Sequence, residues 1–135
     1  TSDETWDSLF NLNTKSVMHM AAAVVPLMRE SGAGKIINVG ALAAGQGLGQ
    51  MGAYIASKSA TIRLTESLAA ELKPVGINVN GVLPDVIDTP RNRADMPDAD
   101  YSSWVAPSDL AAVIGFLASD AAAAVHGAMI PVTGR

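Results

Sequence analysis

Two side chains able to exchange protons stand four residues apart in this sequence, Tyr54 and Lys58. Residues at i and i+4 of a helix lie one above the other on the same face. Because a nearby ammonium favours the phenolate, we expect Lys58 to lower the pKa of Tyr54 from its ordinary value of about 10. A phenol with a lowered pKa donates or accepts a proton near neutral pH. The pair therefore predicts acid/base chemistry.

The elements that would position this pair alternate between helices and strands. Apolar spacing predicts three helices, which cover residues 3–30, about 51 or 53 to 73, and 107–119. Short apolar runs predict three strands, the first covered on both faces, at residues 36–39, 77–83 and 129–132. Residues 84–105 are predicted to form a loop. With no internal repeat or linker, we expect residues 1–135 to form a single domain.

The order strand, long helix, strand, helix, strand indicates right-handed crossovers and a parallel sheet. The predicted fold class is therefore α/β, with three parallel strands and flanking helices. Ligands of such sheets bind beyond the carboxyl ends of the strands. Residues 40–42, residues 84–89 and the start of the helix that carries Tyr54 would meet at that edge. The sequence thus predicts a site there.

Composition excludes several classes of function. The chain is 49% hydrophobic and 16% charged, which is typical of a globular domain. A net charge of −4 argues against nucleic acid as a partner. The absence of cysteine excludes disulfides and thiolate metal sites. Because neither His19 nor His126 has a second His or a carboxylate cluster near it in the sequence, we expect no metal.

No apolar run is long enough to span a membrane, and we expect no membrane partner. We expect a cytoplasmic protein whose partner is a small-molecule substrate.

A glycine-rich stretch, Gly45-Gln-Gly47-Leu-Gly49, precedes the predicted central helix. A dinucleotide-binding fingerprint requires G-x-G-x-x-G, and position 50 is Gln. A flexible connection is the favoured interpretation over direct phosphate contact.

Several motifs in order resemble those of the classical short-chain dehydrogenases/reductases. Trp6-Asp7 followed by Asn11-Leu-Asn13 is similar to the segment with the family's catalytic Asn. Tyr54 and Lys58 match its Y-x-x-x-K pair, and Pro84-Asp-Val-Ile-Asp-Thr-Pro90 resembles the segment that packs on the nicotinamide. The resemblance covers nearly the whole chain and implies hydride transfer with NAD(P)H as the cofactor.

The resemblance also implies roles for particular residues. Tyr54 would donate the proton, Lys58 would hold the nicotinamide ribose, and Asn13 would hold a water in a proton relay. The residues expected to bind the cofactor are Tyr54, Lys58, Pro84, Ile87 and Thr89. Structural alternatives remain for each: a tyrosine packed on the sheet, a solvated lysine, a locally bonded Asn13 and a turn-forming Thr89.

Two residues depart from the family pattern. Ala41 stands thirteen residues before Tyr54, where the family has its catalytic Ser, and Asp85 stands where it usually has Gly. Asp85 is expected to be a loop residue more than an acid catalyst. The quinonoid dihydropteridine reductases of this superfamily likewise lack the Ser, and their loop resembles residues 83–104. This narrower resemblance implies a quinonoid dihydropterin or similar conjugated substrate. Tyr101 and Trp104 would cover the substrate or anchor the loop.

The family's first strand, glycine-rich turn and helix have no counterpart in the sequence. We therefore expect residues 1–135 to be a C-terminal portion of a longer reductase: a single, partial Rossmann-like domain with the C-terminal part of a doubly wound sheet and without the N-terminal dinucleotide-binding βαβ unit. Such a portion would have an unpaired edge at 36–39 and would bind dinucleotide weakly alone. The resemblance implies a homodimer or homotetramer through helices 3–30 and 53–73, where small apolar residues suit close packing. The alternative is a non-catalytic, short-chain-reductase-like assembly subunit or an inactive fragment. Retention of both Tyr54 and Lys58 favours the enzyme.

Overall fold

The computed structural model describes residues 1–134 and contains a three-stranded parallel sheet in the order β1-β2-β3. The strands are β1 (Gly34–Val39), β2 (Ile77–Pro84) and β3 (Met129–Val132). Gly34 pairs with Ile77, and Gly81 pairs with Met129. The predicted α/β class with a parallel sheet is confirmed.

Five α-helices lie within residues 1–134: α1 (Asp3–Phe10), α2 (Ser16–Ser31), α3 (Gly52–Leu72), α4 (Pro90–Asp95) and α5 (Pro107–Ala118). The longest, α3, is the crossover between β1 and β2, and α5 lies between β2 and β3. Lys73–Val75 adds a 3₁₀ turn after α3, and Gly76 then turns the chain with φ of 76°. A left-handed φ of this kind favours glycine, so Gly76 sets where β2 begins.

The helix predicted over residues 3–30 is interrupted. Residues Asn11–Lys15 form a π-helical turn between α1 and α2. A π turn adds one residue to a helical turn, and such turns are frequent at functional sites. Apolar spacing could not reveal it, because the residues on both sides of the turn keep helical periodicity.

The predicted loop over residues 84–105 contains a short helix that the sequence analysis missed. Thr89 is the N-cap of α4, with its side chain accepting a hydrogen bond from the Asn92 amide, and Pro90 occupies the first turn. An N-cap Thr followed by Pro is the signal that could have found it. The last helix, α5, begins at Pro107 as predicted, with Ala106 as its N-cap.

Burial is greatest around the central strand. Val79 and Val82 of β2 are fully buried, the first in a cluster with Leu72 and the second in a cluster with Leu117. The first strand is covered on both faces, as predicted: Ile36 packs against the cluster of Leu72 and Ile37 against the cluster of Leu117. Its residues are nevertheless only half-buried, and Val39 is 41% exposed. The physical reason is that β1 lies at an edge of the sheet, as the predicted unpaired edge requires. Nowhere in residues 1–134 does a helix have both the length and the apolarity to cross a bilayer.

Candidate functional site

A cleft of 330 Å³ opens beyond the carboxyl ends of β1 and β2, beside the start of α3. It brings together four residues that the sequence analysis selected: Tyr54, Lys58, Pro84 and Ile87. Thr89 and Asn13, which it also selected, are not among the residues lining this cleft. The predicted edge of the sheet is therefore where the proton-exchanging pair lies.

Lys58 is anchored to the edge strand. Its Nζ donates a hydrogen bond of 3.0 Å to the carbonyl of Val39, the last residue of β1. That bond leaves two of the three ammonium N–H donors without a partner within residues 1–134. The anchor fixes the end of the side chain and leaves donors available to a ligand.

The electrostatics of the pair differ from the expectation. Burial raises the pKa of Tyr54 above its ordinary value, and burial lowers the pKa of Lys58. The prediction that Lys58 lowers the pKa of Tyr54 is therefore wrong for this structure. Both side chains are partly desolvated, and the loss of hydration outweighs their mutual interaction because it disfavours each charged form. Tyr54 is held as the protonated phenol, which is the form that donates a proton.

Asn13 lies in the π turn and bonds to α3 instead of to Lys58. Its Nδ2 donates to Ser57 Oγ at 2.9 Å, and its backbone carbonyl accepts from Thr61 Oγ1 at 2.9 Å. Ser57 Oγ in turn donates to the carbonyl of Tyr54 at 2.8 Å. Ser57 and Thr61 are almost fully buried. Asn13 thus contacts the helix that carries the pair from behind the cleft.

Ala41 is buried in a small apolar cluster with Ala44 and Ile62, against which Tyr54 packs. A methyl group therefore occupies the place where the resemblance leads one to expect a catalytic hydroxyl. No hydroxyl from position 41 can donate to a developing oxyanion.

The loop after β2 supplies the far wall of the cleft. Asn92 and Met96, which the sequence analysis did not select, line the cleft, as does Met51 on the other side. Asn92 Nδ2 donates to the carbonyl of Ile87 at 2.7 Å. Asn92 and Met96 both lie in residues 83–104, on which the narrower resemblance rests, but the sequence does not place them in the cleft, because that depends on the position of α4.

Asp85 also lines this cleft. One of its carboxylate oxygens accepts a hydrogen bond of 2.9 Å from the Val86 amide, and the other has no partner within residues 1–134. Thr89 caps α4 by accepting a hydrogen bond from the Asn92 backbone N–H, in keeping with the turn-forming role considered as the alternative to cofactor binding. Its hydroxyl hydrogen is donated to no partner in the described part of the chain.

The remaining candidates lie elsewhere. His126 is held between α3 and β2: its Nε2 bonds to the carbonyl of Ala69 at 2.7 Å and its Nδ1 accepts from the Val79 amide at 3.4 Å. Across residues 1–134, no three His, Cys, Asp or Glu side chains come together as metal ligands would. A larger cleft, of 410 Å³, opens at the opposite edge of the sheet, near Lys35 and Lys73, and holds none of the predicted site residues.

Comparisons with known proteins identify the family. The family model described as enoyl-(acyl carrier protein) reductase matches residues 1–134. The chain belongs to the short-chain dehydrogenase/reductase family.

Individual relatives of this short-chain dehydrogenase/reductase chain are similar over nearly its whole length. A 3-oxoacyl-(acyl-carrier-protein) reductase of Pseudomonas aeruginosa is 34% identical over 98% of the chain and 57% of its own length. A 2-dehydro-3-deoxy-D-gluconate 5-dehydrogenase of Dickeya dadantii is 35% identical over 98% of the chain and 57% of its own length. The crystal structure of a gluconate 5-dehydrogenase from Burkholderia cenocepacia, in complex with NADP and tartrate, superposes with a TM-score of 0.91 at 30% identity, covering 99% of this chain and 56% of that one. The chain therefore spans a little over half the length of these relatives.

Proposed function

We propose that this chain carries the proton-donating half of an NAD(P)H-dependent oxidoreductase. One observation supports the proposal above the others: Tyr54, protonated by its environment, and the anchored Lys58 share a cleft at the ligand-binding edge of the sheet. The solved gluconate 5-dehydrogenase that resembles the chain contains NADP.

The donors of the cleft fit the nicotinamide end of such a cofactor. Lys58 offers two N–H donors, which suit the ribose hydroxyls, and Tyr54 lies one turn away. Pro84 and Ile87 line the wall against which the nicotinamide would pack, and Thr89 offers a hydroxyl hydrogen at the start of α4. The bound cofactor would supply a hydride to the substrate.

The chain's own residues would handle the proton. Tyr54 donates its phenolic proton to the substrate atom that gains negative charge. Asn13, whose side-chain oxygen has no partner in the described residues, would hold the water through which Tyr54 is reprotonated. Solvent is the source of that proton.

For the substrate, we propose a quinonoid dihydropterin or a similar conjugated ring. Because Ala41 offers no hydroxyl, a substrate that needs little oxyanion support suits the cleft. The thioethers of Met51 and Met96 provide apolar walls for a flat ring, and Asp85 provides a carboxylate for ring N–H groups. By their names, the relatives described above act on 3-oxoacyl and gluconate compounds. We propose that Ala41 disfavours such ketone substrates in this chain.

We further propose a homodimer or homotetramer that forms through α1, α2 and α3. Apolar side chains on the outer faces of the first two helices are exposed, including Leu12 at 70%, Met20 at 62% and Leu27 at 64%. A groove of 210 Å³ between α2 and α3 is lined by Met18, Ala22 and Leu68. A second copy would cover these apolar groups.

Stopped-flow kinetics of the complete protein tests the proposed reaction. We expect NAD(P)H oxidation with a quinonoid dihydropterin, weak oxidation with 3-oxoacyl and keto-gluconate substrates, and a loss of about 10²–10⁴ in kcat for Tyr54→Phe. We expect Ala41→Ser to raise ketone reduction at least about tenfold, since one oxyanion donor contributes about 10²–10³. Ala43→Ser, in the same cleft, is the matched control.

The possible outcomes test the proposed mechanism and the proposed substrate class separately. Unchanged turnover in Tyr54→Phe would remove Tyr54 from the mechanism. Efficient ketone reduction by the wild type, without turnover of the dihydropterin, would contradict the substrate class and leave the reductase proposal standing.

A further inference from the structure

Arg93 links separate parts of residues 88–104, the segment that follows β2. From α4, it donates two parallel hydrogen bonds to Asp88, Nε to Oδ1 at 2.6 Å and Nη2 to Oδ2 at 2.8 Å. This fork of two charge-assisted bonds fixes both distance and orientation. The Arg93 hydrogen bonds also hold the pKa of Asp88 below its ordinary value, so the carboxylate stays charged.

The same guanidinium lies over an aromatic ring farther along the chain. The Arg93 Cζ atom is 4.5 Å from the centroid of the Tyr101 ring, and the centroid of the Trp104 ring lies 4.6 Å from that of Tyr101. The Tyr101 hydroxyl donates to the carbonyl of Pro97 at 2.9 Å. Tyr101 and Trp104 therefore anchor the segment, which was one of the two roles expected for them. We call Asp88, Arg93 and Tyr101 the arginine clamp.

The arginine clamp is fixed to the base of the segment. The Asp88 amide donates to the carbonyl of Val105 at 2.8 Å, and the Val105 amide donates to the carbonyl of Val86 at 2.8 Å. Val105 is fully buried in the core cluster of β2 and α5. The two ends of the segment, at Asp88 and Val105, are thus hydrogen-bonded to each other and attached to the core. With the arginine clamp, these bonds close a ring of contacts around the segment.

The segment held by this ring reaches the cleft. Asn92 and Met96, on either side of Arg93 in the chain, line the cleft that holds Tyr54. Arg93 itself is exposed and is not among the lining residues. Its effect on a bound substrate must therefore pass through Asn92 and Met96.

We propose that Arg93 is a positioning residue, which orders residues 88–104 as a wall of the cleft before the substrate binds. If the wall is already ordered in the ligand-free protein, none of the binding free energy is lost in ordering it when the substrate binds. The inference rests on the proposed function only in taking this cleft as the substrate site. It predicts that loss of the clamp weakens substrate binding and leaves the proton transfer at Tyr54 intact.

The test compares Arg93→Ala with a control from the same helix. Arg91 forms an ion pair with Asp95 at 2.8 Å, one turn along α4, and touches neither the aromatic rings nor the core. In the complete protein we expect Arg93→Ala to raise KM for the substrate about 10- to 100-fold with kcat changed less than about threefold, because residues 88–104 must then be ordered when the substrate binds. Arg91→Ala should match the wild type. Arg93→Lys keeps the charge and loses the fork and the flat stacking surface, so its KM should lie between.

Hydrogen exchange of the ligand-free protein gives a readout that does not depend on catalysis. The amides of residues 90–104 should exchange faster in Arg93→Ala and in Asp88→Asn, with no change in Arg91→Ala and no change in the core strands. Equal exchange and equal KM in Arg93→Ala and Arg91→Ala would overturn the inference. Faster exchange combined with an inactive wild type would support the clamp and contradict the proposed reaction.

Discussion

The hydrogen bond between Asn13 and Ser57 joins the π turn to the helix that carries Tyr54 and Lys58, and its strength is measurable. Ser57→Ala removes two hydrogen bonds, the one donated to the Tyr54 carbonyl at 2.8 Å and the one accepted from Asn13 at 2.9 Å. Each bond contributes about 1 kcal/mol net, and a polar group left without a partner adds to the loss. We expect Ser57→Ala to lower the free energy of unfolding by about 2 kcal/mol and Asn13→Ala by about 1 kcal/mol.

The double variant is the decisive member of the series. Once Ser57 is absent, removing Asn13 costs less, because the bond between them is already lost. We expect the double variant to be about 1 kcal/mol more stable than the sum of the single changes predicts, within the range of about 0.5–3 kcal/mol seen for residues in contact. That coupling corresponds to a difference of about 4 °C in Tm for a domain of this size.

Urea unfolding of the complete protein, followed by circular dichroism, supplies the four free energies. Ser67→Ala is the control on the same helix: its hydroxyl lies 3.3 Å from Glu71 on the exposed face, so the change should stay within about 0.5 kcal/mol. A coupling below about 0.3 kcal/mol would refute the reasoning, since independent sites add within that margin. The π turn would then be held by its backbone contacts alone.

Two further predictions concern charge and assembly. Because burial raises the pKa of Tyr54, the stability that this phenol contributes is full below the ordinary tyrosine pKa of about 10 and is lost as the pH rises through the higher folded-state value. The difference between absorbance titrations of the wild type and Tyr54→Phe should therefore show a tyrosinate midpoint above about 10, and a midpoint below that would mean that Lys58 dominates. Sedimentation velocity should show that Met18→Glu, on the exposed face of α2, dissociates the oligomer. Phe116→Glu, equally exposed on α5, should leave the oligomer intact; dissociation by both or by neither would contradict the proposed interface.

Much of the fold could be predicted because apolar runs and the residues that end them recur along the sequence and act locally. The three strands and the long helix between β1 and β2 follow from apolar runs and from terminators such as Gly76. The position of Tyr54 and Lys58 at the carboxyl edge follows from strand order alone. In each case one physical cause, burial of an apolar face, acts over many residues.

The features that escaped prediction depend on single contacts. The pKa of Tyr54 depends on how far the side chain is desolvated, and the sequence spacing gives only its distance from Lys58. Asn13 was expected beside Lys58, yet its amide bonds to Ser57, the preceding residue of α3. Asn92 and Met96 line the cleft from the segment in which Arg93 contacts Asp88 and Tyr101. Long-range bonds between isolated polar side chains leave no periodic trace in a sequence.

The π turn at Asn11–Lys15 also constrains how this protein can change by insertion and deletion. A π turn uses about one residue more than an α turn to complete the same rotation. Deleting one residue from the turn would therefore restore a regular helix and leave the orientation of α1 relative to α2 nearly unchanged. Trp6 and Phe10, which stack with their ring centroids 5.2 Å apart, would keep their direction. The cost of the deletion would fall on the contacts that Asn13 makes with Ser57 and Thr61 of α3.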